Sequence, residues 1–587
     1  MAEQPAGQEA TRGQQPPSPP LSPSPLTTTP KGPVAQTEQP HGAPSDEPNG
    51  RSKSASPRGF QFHIVLVGLL LAALLTWLDG GTISTALPTI ASELDLGPAY
   101  VWVADSYFLT MAAVQPVCGQ LADLWGRRWI FIGCVSLFVL GSGLIAGANT
   151  AAMLIAGRSI QGIGGGGINM MVDLVICDLV PLRERGKYIG LIFGVGATIS
   201  AVGPLIAGAL TEAGPGAWRW IFWINLPLGG VCIVIMLCWF HVAHGHEEQG
   251  FLHRARQIDW VGTTIIIAST VATLWSLASG GASKPWSDGG VIGGLVAGFI
   301  GLGVFAAWER SPWCRTPMVP LRLFSNRTSA VAFFLNMTNS MLIFWVVFTF
   351  PIYFQAVLGA GPRESGLWLL PFAFAFPVGA SLSGNMLTKY GVYRPLHLIG
   401  FGMCTLVYGL CSILDRSSHH AIWVVFQILL AFSIAFPVAT LLPAVQASLP
   451  ESDAAASTAV WAFLRSYGSI FGAAVPAAIF NNRFQQLLAM VQDPTTRAKL
   501  SGGDAYSRAA PSSSLGNISS TTRDQVIYIY NESTRRVWQI GIVFAGVSFL
   551  LGFLEKEIPL KQDLETNFGL EDRERGAEKN TSTIATV

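Results

Sequence analysis

The chain of 587 residues is half hydrophobic, only 12% charged and close to neutral, with a formal net charge of +1. Soluble domains typically carry roughly 25% charged residues, so this composition describes a membrane protein. No basic stripe with interleaved aromatics points to a nucleic-acid partner, and the eight cysteines, scattered without CxxC pairing, give neither a disulfide framework nor a zinc site.

Residues 1–59 are rich in Pro, Ser, Thr, Gly and Gln, as in "TRGQQPPSPPLSPSPLTTTPKGP". Such a segment buries too little apolar surface to offset chain entropy and reads as a disordered cytoplasmic arm. No basic start with an apolar core precedes Phe60, so the first hydrophobic segment is expected to stay as an anchor. From there, fourteen apolar runs of bilayer length recur. They cover 62–86, 101–121, 129–148, 151–178, 188–211, 219–240, 259–279, 289–308, 329–357, 365–387, 395–414, 421–443, 456–480 and 537–554. With the N-terminus inside, the short inner connections hold most of the basic residues, Arg127, Arg128, Arg183, Arg185 and Lys187 among them. The short outer ones hold only Arg219, Lys284, Arg363 and Arg416, as the positive-inside rule requires. The long polar loop 481–536 then lies outside with two glycosylation sequons, at Asn517 and Asn531, and the tail 556–587 lies in the cytosol.

"GQLADLWGRRW" at 119–129 follows the second run, and "GNMLTKYGVYR" at 384–394 follows the tenth, 265 positions later. The repeat predicts two six-helix bundles, 60–240 and 329–555, flanking a loop and two extra helices at 241–328. Repeated halves with a site between them are the architecture of rocking transporters. Gly119 and Gly126 permit tight helix approach in the first copy, while Asp123 has an arginine or a helix N-terminus as candidate partner; an exposed charged turn is the alternative. Run 5 carries Gly190, Gly194, Gly196, Gly203 and Gly208, which favour close packing in lipid, and Pro204, which permits a kink.

Asp79 lies inside the first run, where an ionised Asp costs on the order of 2.5–3.5 kcal/mol. It sits roughly 25 Å along its helix, and Arg158 about 10 Å in from the outer end of run 4, so both fall in the outer half of one bundle. The pair is read as a proton-accessible carboxylate biased by a neighbouring cation; a fixed ion pair or a hydrated Asp is the alternative. Gln115, Gln161, Asn336, Asn339, Phe344, Trp345, Phe348, Gln355, Trp461 and Phe463 are candidates for an apolar pocket with sparse polar anchors. Arg465, in the middle of run 13, is a candidate to meet an anionic or carbonyl-bearing cargo, with helix-end snorkelling as the alternative. Glu212 reads as a solvated helix end, Asp173 and Asp178 as an inner charge cluster with Arg183 and Arg185, and His241, His244, His246, Glu247 and Glu248 as a solvated loop rather than a metal site. No GxxxxGK[ST] loop, HExxH or nucleophile cluster is present, which leaves an ATP-driven pump and a membrane enzyme without support.

On these residues the chain resembles the major facilitator superfamily, and within it the fourteen-span drug:proton antiporters of fungal type. The resemblance covers about 62–555. It rests on "LDGGTISTALPTIASEL", "GQLADLWGRR" with Gly119, Asp123, Gly126, Arg127 and Arg128, "LIAGRSIQGIGGGG" with Arg158, Gln161 and Gly162, "GLIFGVGATISAVGPLIAGAL" with Gly190, Gly203, Pro204 and Gly208, and "WRWIFWINLPLG". Ile199 and Ala207 depart from the antiporter motif, and Thr388, Val392 and Tyr393 from the loop motif in its second copy. The resemblance implies an all-α major facilitator fold of fourteen helices and a latch at Asp123. It implies proton-driven export of hydrophobic or amphipathic molecules, such as drugs, mycotoxins or other secondary metabolites, by a plasma-membrane monomer without a cofactor. Alternatives on the same fold are a siderophore or basic amino acid carrier, a non-transporting nutrient sensor, and a vacuolar location.

Overall fold

The computed structural model describes residues 59–96, 101–241, 251–280, 284–501 and 519–561. Asn517, the histidine loop beyond His241, nearly all of the N-terminal arm and most of the C-terminal tail lie outside the described residues, as do the side chains of Pro204 and Glu212. The described residues are helical, without a strand.

Each of the fourteen predicted runs falls on a helix: α1 Phe60–Glu93, α2 Val101–Trp125, α3 Arg127–Ala146, α4 Ala151–Leu179, α5 Leu182–Glu212, α6 Asn225–Trp239, α7 Trp260–Ser279, α8 Gly289–Glu309, α9 Arg327–Ile352, α10 Leu370–Tyr390, α11 Arg394–Cys411, α12 His420–Val438, α13 Ala454–Leu487 and α14 Ser520–Gly552. Short turns lead into α6 and α10, and Leu441–Gln446 continues α12. Ten of these stretches are long and apolar enough to cross a membrane; α2, α5, α11 and α14 fall outside that set, and each packs against at least one of the ten. Side chains start the helices where chemistry predicts: Thr150 caps α4, Asp259 α7, Asp288 α8, Asn326 α9 and Ser519 α14.

The predicted outer loop is shorter than the sequence suggested. α13 runs on to Leu487 and α14 begins at Ser520, so polar residues at both ends of 481–536 continue the helices. Asn531 therefore lies within α14 with its sequon partner Ser533 fully buried, a setting unlike the exposed loop that a sequon calls for.

Helix packing is dense within each of the two repeated segments and also between them. In the first half α4 is packed by α2 and α3, α1 by α5, and α6 lies against α1 and α3; in the second, α9 packs on α13, α12 on α10 and α11, and α14 on α11, α13 and α9. The main crossings that join the halves are α5 on α10 and α2 on α13, and α4 also touches α13. α7 and α8 zip together through small residues, Ser269, Thr273 and Ser276 against Gly301, Gly298 and Gly294, and α7 flanks α2 and α13.

The repeated glycines sit at both crossings. A Cβ on Gly119 would meet Ala459 of α13 at 2.6 Å, and one on its counterpart Gly384 would strike the Gly186 carbonyl of α5. Gly190 lies as close to the Ala380 carbonyl, 2.6 Å from a would-be Cβ. The second glycine of each copy ends its helix with positive φ, 87° at Gly126 and 72° at Gly391, where a side chain is strained. Gly203 is packed against Gly81 of α1, whereas Gly208 has open space around it and serves no close contact.

Gly384→Val is therefore expected to wedge the α5–α10 crossing. Overpacking by about 1–3 kcal/mol is expected to disfavour this packed arrangement of α5 and α10 roughly 5- to 150-fold. Thiol labelling of Cys177, buried between the halves beside Gln446 and Thr458, in a variant keeping only that cysteine reads the change. Gly133→Val, at an exposed position with nothing near, is the control.

Candidate functional site

The glycines of α4 shape the first site. Gly162 and Gly166 bring the Tyr107 and Met111 carbonyls of α2 against it, and Gly157 and Gly164 do the same for Gly141 and Cys134 of α3. Between these walls Arg158 and Gln161, one turn apart, share a face directed at α1. An Arg158 N–H donates to Asp79 at 2.6 Å, and the Gln161 amide donates to the other carboxylate oxygen at 3.0 Å. Arg158 also donates to the Gln161 carbonyl at 2.6 Å and to the Val103 carbonyl at 2.8 Å, and stacks over Tyr107 at 4.4 Å. Gln161 reaches on to Ser142 of α3 at 2.9 Å, which accepts from Asn225 of α6 at 3.2 Å. Asp79 is 1% exposed and Arg158 not at all.

Five helices of one half thus converge on one buried carboxylate. Two atoms in the chain of contacts, Arg158 Nη2 and Asn225 Oδ1, have no partner among the described residues. Gln161, read from sequence as a cavity residue, belongs here instead, because one helical turn places it beside Arg158. Ser142, Asn225 and Tyr107 were not anticipated; Asn225, an amide in the apolar run "WRWIFWINLPLG", carried the same signal as Asp79.

At mid-depth the halves meet through charge. Arg465 of α13 donates to Asp173 of α4 at 3.1 Å, and its guanidinium lies 4.4 Å from the Trp461 ring and 4.9 Å from Phe193. Phe193 is edge-on to both Trp461 and Trp77, and Asn336 fixes the backbone by donating to the Trp461 carbonyl at 2.7 Å. Asp173 does not join an inner cluster with Arg183 and Arg185; it lies more than a turn above Asp178, on the side facing α13. Gln115 is buried with both amide atoms unpartnered among the described residues, as is the Asn339 carbonyl oxygen, while Gln355 donates to Ser365 at 3.4 Å.

The predicted cytoplasmic face carries the third set. Asp123 accepts from Arg127 of its own loop at 2.6 Å, and Arg127 binds Asp178 at 2.9 Å; Arg128 donates to the Leu237 carbonyl. The loop motif thus braces its own half, since Arg127 is the nearest cation. Ties between halves come from the next segment. Arg183 donates to the Thr388 and Lys389 carbonyls at the end of α10, and buried Arg185 to Gln446 at 2.7 Å and Glu451 at 2.8 Å. Residues 553–561 form a strap beneath the second half. Glu555 meets buried His397 at 2.7 Å, Glu557 accepts from the backbone of Tyr393 and Arg394, and the Lys561 carbonyl accepts from the Arg183 backbone across the halves.

Asp259, Glu309 and Cys314 bring ligand-type atoms within 4.8 Å of one another. All three are engaged locally. Asp259 caps α7 and accepts from Trp308, Glu309 accepts from the backbone of Met318 and Val319, and Cys314 lies 3.6 Å from Asp259. Burial and then the Asp259 and Glu309 charges push the Cys314 thiol up to about 12, which favours the protonated thiol that donates to Asp259.

Paired halves, two equivalent crossings and polar ties at mid-depth agree with the family profile described as Major Facilitator Superfamily, which matches residues 69–473. The chain belongs to the major facilitator superfamily. It is 43% identical to the MFS-type efflux transporter phmH of Phaeosphaeria nodorum over 91% of this chain and 92% of that one. It is 42% identical to the MFS-type efflux transporter ffsH of Aspergillus flavipes, over 94% and 96%. The fold is similar to that of the human organic anion transporter MFSD10, with a TM-score of 0.52 at 12% identity over 84% of this chain and all of that one. Membership in the major facilitator superfamily makes this a multi-pass membrane transporter for a small-molecule substrate rather than an enzyme.

Proposed function

We propose that this superfamily member is a proton-coupled antiporter of fourteen spans that exports hydrophobic or amphipathic small molecules across the plasma membrane, without a cofactor. The observation that carries the reading is Asp79, a carboxylate sealed among five helices and held by Arg158 and Gln161. A charge so placed in a transporter is stable only while its partners are in register, so a shift of α1 against α4 changes its hold on a proton. The ties of Arg183 and Arg185 support a state closed at the cytoplasmic face. Efflux activity in the names of relatives about 40% identical supports the direction. The halves at 60–240 and 329–555, with the extra helices at 241–328 between them, would rock about the α5–α10 and α2–α13 crossings.

The test uses purified protein in vesicles whose lumen is about 2 pH units more acidic than outside, a driving force of roughly 2.7 kcal/mol per proton. N-phenyl-1-naphthylamine, a neutral amphipathic fluorescent probe, is expected to accumulate in the lumen while protons leave it. Accumulation that persists after nigericin and valinomycin collapse both gradients would overturn the proton coupling, and no accumulation in either condition would overturn the export reading.

A further inference from the structure

Two of the buried arginine–aspartate pairs, Asp79–Arg158 and Asp173–Arg465, are built differently. At Asp79 both carboxylate oxygens are bonded, the ion-pair contact is 2.6 Å, and neither side chain is exposed. The Asp173–Arg465 pair has one contact of 3.1 Å, the single hydrogen bond that the Arg465 side chain makes among the described residues, and Arg465 remains 17% exposed against 3% for Asp173. Its free N–H donors are therefore reachable. They are framed by the Trp461 and Phe193 rings, and the Trp461 indole N–H, in a side chain 1% exposed, has no partner among the described residues.

We propose that this pair is an exchange site for amphipathic anions: an acidic oxygen of the cargo replaces the Asp173 carboxylate on Arg465, while its apolar body lies against Trp461, Phe193 and Trp77. This deepens the export reading and rests on it. A planar guanidinium with unused donors matches a carboxylate or enolate oxygen, and an aromatic frame takes the apolar portion. A cation competing for Asp173 is disfavoured, since Asp173 is the covered partner and Arg465 the open one. Because Asp173 belongs to α4 and Arg465 to α13, the exchange also cuts a tie between the halves. Cargo would thus loosen the pair that holds its own chamber together.

The experiment compares a dansylated medium-chain fatty acid with its neutral amide, probes that differ only at the acidic group, by equilibrium binding to full-length protein in detergent. The acid is expected to bind the native chain about 10-fold tighter than the amide, about 1.4 kcal/mol. Arg465→Gln is expected to erase that preference, Arg465→Lys to keep part of it, and Asp173→Asn, which removes the competitor, to tighten acid binding several-fold. Size-exclusion profiles identify any variant that fails to fold; Asp173→Asn and Arg465→Lys then carry the test. An acid-to-amide ratio unchanged in Arg465→Gln, or weaker acid binding in Asp173→Asn, would sink the proposal. Export of the neutral N-phenyl-1-naphthylamine by the native chain reports on the underlying reading separately.

Discussion

Asp79→Asn combined with Arg158→Gln is expected to give a folded protein that still binds cargo and carries it downhill, yet no longer exchanges it for protons. The double replacement removes both charges from the buried network while keeping groups that hydrogen-bond, so Gln161, Ser142 and the Val103 carbonyl retain polar neighbours. A buried ion pair replaced as a unit by groups of similar volume is often neutral for stability. If the pair were only structural, gradient-driven export would survive with it. The expected result is a loss of at least about 10-fold in pH-driven accumulation, equivalent to roughly 1.4 kcal/mol, with no proton movement accompanying cargo. Proton flux at the native rate in this variant would remove Asp79 from the mechanism.

The single replacement Arg158→Met should act on the fold instead. It leaves the Asp79 carboxylate, 1% exposed, with Gln161 as its remaining side-chain donor, and breaking one side of a buried pair costs about 3–5 kcal/mol. That is a large fraction of the stability of an ordinary domain. The expected outcome is little monodisperse protein after extraction, with the yield restored when Asp79→Asn is added. Restoration by the second change separates a charge left without its partner from a simple loss of packing at Tyr107. A yield equal to that of the native chain for Arg158→Met alone would show that water reaches Asp79 and supplies the missing partner.

Much of this was legible from spacing. Asp79 and Arg158 stood out because each is a charge in a run otherwise fit for hydrocarbon, and depth counting put them in one layer. The repeated Gly119 and Gly384 were legible as a repeat, and their contacts with α13 and α5 follow from exchanging the two halves. What escaped had a physical cause. Arg465 and Asp173 are 292 residues apart, and no local pattern links them; Asp173 was grouped with Asp178 because five residues look near in a chain, although they span more than one helical turn. Gln161 was assigned to the cavity by its amide alone, without regard to the face it shares with Arg158. The ends of α13 and α14 were missed because hydropathy marks where lipid stops, whereas helices stop where backbone bonds run out of partners.

The strap at 553–561 sets an order of events during biosynthesis. The amino ends of α11 and α5 find acceptors in Glu557 and in the Lys561 carbonyl, and those acceptors leave the ribosome only after α14 has done so. Until then the two bundles lack this fastening, so all fourteen helices have been synthesised before the clasp can shut. A reporter fused directly behind Lys561 would burden that closing step, so a generous spacer is the sound design for any tagged form.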